Sequence, residues 1–130
     1  MMDLNKNELK SGKKHRFLGR HILGELYGID YEILDNLSIL EKALSLGIKR
    51  SEARCEGMLV KKFNPSGVTI VALLSESHAS IHTYPECNAL FIDAFTCGNT
   101  CDPQAIIDVV VEIVKPQKIA VKEMKRGNEL

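Results

Sequence analysis

Apolar and polar positions alternate loosely from Leu18 to Tyr27, with Leu18, Ile22 and Leu26 set among Arg20, His21 and Glu25. That pattern predicts a first strand, closed by Gly28. The period then changes. Ile33, Leu37, Leu40 and Leu44 recur at i, i+4, i+7 and i+11, one apolar stripe of a helix, and Gly47 is a candidate C-cap past which the helix could still run. Glu52 to Phe63 reads as a strand, Asn64-Pro65-Ser66-Gly67 as a turn, and the uncharged, β-branched run Val68 to Leu74 as the returning arm of a hairpin. Ser80 to Tyr84 is short and extended, stopped by Pro85, and Ala89 to Phe95 forms the next strand before a loop from Cys97 to Cys101. Asp102-Pro103 supplies an N-cap and a proline at the first helical position, where its missing N–H costs nothing. Ile106, Val109, Val110 and Ile113 give that helix its buried stripe; Lys115-Pro116 stops it, and Lys118 to Met124 is a last strand.

The order β-α-β-β-β-β-α-β has mostly short connections between consecutive strands, which implies antiparallel pairing. Two helices can cover one face of such a sheet. The expected fold is α+β, a two-layer α/β sandwich with a mainly antiparallel sheet and two helices on one face. The open face then needs a partner, for which a homodimer is the simplest choice. Residues 1–17 are expected to form a basic, flexible tail and residues 18–126 a single domain.

Composition adds exclusions. An apolar content of 45% and a charged content of 26% are those of an ordinary soluble globular chain. Lys plus Arg equals Asp plus Glu at 17 each, so no overall field favours nucleic acid or an anionic membrane. The basic runs Lys10 to Arg16 and Lys118 to Arg126 lack the interleaved aromatics of a base-stacking surface and read as solvated tails or strand edges. No apolar run approaches the roughly 18 residues that span a bilayer, and the first sixteen residues lack the apolar core of a signal peptide. A cytoplasmic protein is expected, with Cys55, Cys87, Cys97 and Cys101 as reduced thiols.

Candidate chemistry is concentrated between Glu76 and Cys97, where Glu76-Ser77-His78, His82 and Cys97 bring a hydroxyl, a carboxylate, two imidazoles and a thiol together. A zinc site built from His78, His82, Cys97 and Cys101 is disfavoured: on extended chain the two histidines share a face but lie about 13 Å apart. A Cys-His hydrolase has its minimum pair, yet Cys97 lies in a loop rather than at a helix N-terminus that would stabilise a thiolate.

A third possibility accounts for more of these residues. Glu76-Ser77-His78, Ile81-His82-Thr83-Tyr84-Pro85-Glu86 and Phe95-Thr96-Cys97-Gly98 resemble the bacterial and archaeal S-adenosylmethionine decarboxylases. The resemblance runs from Gly19-Arg20-His21 and Glu25-Leu26, through Lys62-Phe63-Asn64-Pro65-Ser66-Gly67-Val68, to Cys101-Asp102-Pro103 and about Pro116. It implies a carboxy-lyase acting on S-adenosyl-L-methionine to make the aminopropyl donor for spermidine. Decarboxylation leaves a carbanion that no natural side chain can delocalise, so an electron sink is required. The chain shows no lysine-anchored phosphate site for pyridoxal phosphate. The family uses instead a pyruvoyl group made from its own backbone, whose ketone forms a Schiff base with the substrate amine.

By this resemblance Ser77 is the residue converted. Its hydroxyl attacks the Glu76 carbonyl, an ester replaces the peptide bond, and loss of the Ser77 Cα proton eliminates the Glu76 carboxylate. Hydrolysis of the resulting dehydroalanine gives pyruvoyl and ammonia, leaving a β chain (1–76) and an α chain (77–130). His82 matches the processing base, and Thr69 a hydroxyl assisting the acyl shift. Cys97 matches the acid that reprotonates the substrate Cα. Phe63 matches the ring stacked on adenine, and Glu86 the carboxylate bonded to the ribose hydroxyls. No metal is implied. In relatives the site lies at a dimer interface, implying an (αβ)2 heterotetramer. His78 is expected to order the cleavage loop without a chemical step. The alternatives are the same pyruvoyl chemistry on ornithine or arginine, and a non-catalytic α/β binding module.

Overall fold

Residues 16–129 are described by a computed structural model, in which six strands form one sheet in the order β2-β3-β4-β5-β1-β6. The strands are β1 (Arg16–Tyr27), β2 (Cys55–Lys62), β3 (Val68–Leu74), β4 (Ser77–Tyr84), β5 (Ala89–Cys97) and β6 (Lys118–Glu129). Every neighbouring pair is antiparallel. The helices are α1 (Tyr31–Leu34), α2 (Leu37–Arg50) and α3 (Pro103–Val114).

The α+β two-layer sandwich is borne out, because alternation sorts the strand residues between two unlike faces. Ile22 and Leu26 of β1, Ile70 and Leu74 of β3, Ala79 and Ile81 of β4, and Ile92 and Ala94 of β5 are buried together with Leu40, Leu44 and Ile48 of α2 and Ile106 and Val110 of α3. Among the described residues the opposite face carries no helix, and Leu23, Val71, Leu73, Phe91 and Met124 stand exposed on it. Burying an aliphatic or aromatic side chain is worth roughly 1.5–3 kcal/mol, so five left in water make that face a surface in need of cover.

Several expected boundaries move. The stripe from Ile33 to Leu44 is two helices rather than one: α1 is a single turn, and Asn36 then caps α2 by accepting the Ile39 N–H at 3.1 Å. Gly47 is not a C-cap. The helix runs on to Arg50, and Gly47 is buried where a Cβ would lie 3.0 Å from Ile106 Cα, so the missing side chain lets α2 and α3 approach. Strand β2 starts at Cys55 rather than Glu52 because Glu52 has a left-handed φ of 66°. Strand β4 begins at Ser77 rather than Ser80, since Ser77 and His78 pair with Leu74 and Leu73 across a two-residue turn. Strand β1 begins at Arg16, inside the expected tail, and β6 continues past Met124 because β1 pairs with it throughout. The basic run Lys118 to Arg126 is the exposed edge strand, as expected; most of the basic N-terminal run lies outside the described residues.

Candidate active site

The β3–β4 hairpin turns in two residues, Ser75 and Glu76, between the paired Leu74 and Ser77. Glu76 sits at φ 63°, the left-handed region that glycine and asparagine enter easily. For other residues that conformation costs about 1–2 kcal/mol. The strained residue is therefore the one whose carbonyl forms the bond to Ser77. The Ser77 side chain is buried at 9% exposure and continues the core-facing series of Ala79 and Ile81.

Cys97 closes β5 on the open face, opposite Gly19 of β1. Its thiol Sγ lies 3.8 Å from the Glu76 carbonyl oxygen, so the weak S–H donor points at that carbonyl. A hollow of about 660 Å³ opens beside it, walled by Gly19, Glu76, Phe95, Cys97 and Arg126.

A second group of expected site residues collects at the other end of the same strands. Thr69 and His82 are cross-strand partners, with Thr69 Oγ1 and His82 Nδ1 3.1 Å apart. Phe63 stands in the β2–β3 turn, its N–H donated to the Gly67 carbonyl at 2.8 Å, and is exposed. That turn leans on the end of β4: Gly67, at φ 111°, is placed so that a Cβ would lie 3.4 Å from the Thr83 carbonyl oxygen and 3.9 Å from the Pro85 ring. Glu86 follows on an exposed turn of 3-10 helix, Pro85–Cys87.

Within one chain the two groups do not meet. Five residues of extended strand, about 16 Å, separate Ser77 from His82. Glu76, Ser77 and Cys97 collect at one end of the strands, and Thr69, His82, Phe63 and Glu86 at the other.

The zinc set weighed from the sequence is not assembled either. Cys101 Sγ lies 3.6 Å from the Glu52 carbonyl, and Cys97 faces Glu76. Cys55 and Cys87 are exposed free thiols. His78 turns instead to His21 and Asp93, which sequence reasoning left unassigned. The Nε2 atoms of His21 and His78 lie 2.7 and 2.9 Å from Asp93 Oδ2, and the Ser80 hydroxyl donates to Oδ1. Burial pushes the Asp93 carboxyl up, but the bonds from Ser80, His21 and His78 together hold it below the usual carboxylate range. Strand parity was the available signal: His21, His78, Ser80 and Asp93 all fall on the open-face positions of three neighbouring strands.

Among the described residues, no helix is long and apolar enough to cross a membrane. A family model described as S-adenosylmethionine decarboxylase matches residues 20–127. An S-adenosylmethionine decarboxylase proenzyme 2 of Bacillus cereus is 46% identical over 109 residues, which cover 84% of this chain and 89% of that one. An S-adenosylmethionine decarboxylase proenzyme of Brevibacillus brevis is 39% identical, covering 84% and 82%. The crystal structure of the adenosylmethionine decarboxylase from Aquifex aeolicus superposes with a TM-score of 0.80 at 31% identity, over 87% of this chain and 93% of that chain.

Proposed function

The chain belongs to the S-adenosylmethionine decarboxylase family, and from that premise we propose that it cuts itself between Glu76 and Ser77 and carries a pyruvoyl group derived from Ser77. It is a carboxy-lyase that decarboxylates S-adenosyl-L-methionine to the aminopropyl donor. The observation that carries the self-cleavage is the turn: a left-handed Glu76 whose carbonyl oxygen is faced by the Cys97 thiol at 3.8 Å.

The residues present fit such a group. Attack of the Ser77 hydroxyl on the Glu76 carbonyl would free Glu76 from a conformation that costs it free energy, which favours the rearranged backbone. The negative charge that develops on that carbonyl oxygen falls beside the S–H of Cys97, a donor already in place. When present, the ketone at residue 77 supplies the electron sink that the substrate amine needs. Cys97 is then positioned to return a proton to the substrate carbon, and the hollow beside it is large enough for the substrate's chain.

The base for processing comes from a second copy. His82, bonded to Thr69, is too far from Ser77 in its own chain. A two-fold axis through paired open faces would bring the Thr69–His82 end of one chain to the Ser77–Cys97 end of the other, and would do so twice. Phe63 and Glu86 lie on the arriving end, where a ring and a carboxylate would hold adenine and ribose. This arrangement also covers the exposed Leu23, Val71, Leu73 and Phe91. It gives an (αβ)2 assembly after cleavage.

Intact mass of the purified protein is the direct test. Two fragments are expected, one ending at Glu76 and the other starting at residue 77 with a blocked terminus, and Ser77→Ala is expected to remain a single chain. A wild-type chain that stays whole on prolonged incubation, or a Ser77→Ala chain that is cut at the same bond, would overturn the assignment. Release of carbon dioxide from S-adenosyl-L-methionine, but not from ornithine or arginine, tests the substrate.

A further inference from the structure

Four strands contribute to one side-chain chain on the open face. Arg126 of β6 places Nη1 3.3 Å from His21 Nδ1. His21 of β1 and His78 of β4 both reach Asp93 Oδ2 of β5 through Nε2, and Ser80 reaches the other oxygen. Phe95 stands between the two imidazoles as the cross-strand partner of both: its ring centroid lies 5.5 Å from that of His21 and 5.9 Å from that of His78, with the Arg126 guanidinium 4.6 Å over the ring.

The direction of the bonds from Arg126 through His21 follows from one residue, and the Asp93 carboxylate accepts the rest. A guanidinium carries donors and no acceptor, so His21 Nδ1 must accept from Arg126. Its remaining proton is on Nε2, and it is donated to Asp93. His78 donates to the same oxygen. The same three groups, His21, His78 and Asp93, have the spacing of a cation site. Metal-bound imidazole, however, keeps its other nitrogen protonated and needs an acceptor behind it. Arg126 puts a donor there, which disfavours metal and favours the hydrogen-bonded chain.

The chain ends on His78, the residue directly after Ser77. We propose that Arg126, His21 and Asp93 are positioning residues that act through His78 to hold residue 77 in place once the Glu76–Ser77 bond is broken, an inference that rests on the self-cleavage described above. Before the cut, β4 is held at both ends by covalent chain. After it, residue 77 is a chain end, and such ends fray unless tied down. The conversion also removes the hydroxyl and the backbone N–H of residue 77, so that residue keeps no donor of its own. His78 is the first side chain of the new chain that can anchor it.

The test is amide hydrogen exchange at Ala79 to Ile81, compared between cut protein and the uncut Ser77→Ala background. Hydrogen bonds to a charged acceptor are among the stronger ones, so His78→Leu is expected to speed exchange there about tenfold or more in the cut form and much less in the uncut form. The turnover number falls with little change in KM, and His78→Gln, which keeps an N–H donor, recovers part of both. Should His78→Leu not fold, Arg126→Leu on the exposed edge strand serves as the second variant. It is expected to shift the imidazole ¹⁵N signals of His21 away from the pure Nε2–H tautomer, and to move exchange in the same direction by less. Equal acceleration in cut and uncut forms would make the chain a merely structural element and overturn the proposal. So would unchanged exchange in both, or stoichiometric binding of added Zn²⁺ that His21→Ala abolishes. A wild-type protein that is never cut removes the premise itself, and intact mass reports that separately.

Discussion

Asp93 illustrates how a single residue can be informative in space and silent in sequence. It lies in the apolar run Ala89 to Phe95, and its partners His21 and His78 are 72 and 15 positions away. Ser77, His82 and Cys97 could be singled out because they fall within one ordered set of short motifs; Asp93 and His21 acquire meaning only when β1, β4 and β5 are laid side by side. The consequence is a pH dependence with a definite sign. A carboxylate depressed in the fold stabilises it above the unfolded value, about 3.9, and that contribution is lost as pH falls through the lower folded value. The stability gap between wild type and Asp93→Asn, read by urea unfolding in the Ser77→Ala background, is expected to be full at neutral pH and to narrow below about pH 4. A gap of constant size down to about pH 3 would show that the ionised form contributes nothing.

At the scale of elements, hydrophobic pattern together with turn and proline signals located the six described strands and both long helices, and the ends were where they failed. Period reports which face is buried; where an element stops depends on caps and pairing. Asn36 divides the Ile33–Leu44 stripe by capping α2, an effect that the apolar spacing cannot register. Ser77 and His78 carry no strand signal of their own and become strand because Leu74 and Leu73 pair with them. Gly47 is the sharper case, since a glycine near a helix end looks like a cap and here serves close packing. A Cβ at that position would sit 3.0 Å from Ile106 Cα and 3.1 Å from the Ile106 carbonyl oxygen, both backbone atoms that cannot rotate away. Gly47→Ala is therefore expected to push α2 and α3 apart and destabilise the fold by roughly 1–3 kcal/mol, despite alanine's better helix propensity. Denaturant unfolding would check it; a stabilised variant would show that the helices have room.

For the whole molecule, the decisive feature is that Glu76, Ser77 and Cys97 stand at one end of the sheet and Thr69 and His82 at the other. If Ser77 is processed by the partner's His82, defects in the two halves complement each other. Ser77→Ala and His82→Ala chains, each uncut alone, are expected to yield cut product when co-expressed, with only the His82→Ala chain cleaved. About half of the mixed population forms the productive pair under random association. Absence of any cleavage in the mixture would return the processing base to the same chain, or to another residue. A monomer by sedimentation at working concentrations would count equally against the shared site.

The sequence by itself determined the family, the order of the strands and long helices and the two-layer architecture, because periodicity and short motifs are local properties. Tertiary structure decided which of the candidate residues share a neighbourhood. It separated Ser77 from His82, joined His78 to His21 and Asp93 across neighbouring strands and, among the described residues, left one face of the sheet uncovered. Such outcomes depend on strand order and register, and a change of register by one residue would send each side chain to the other face.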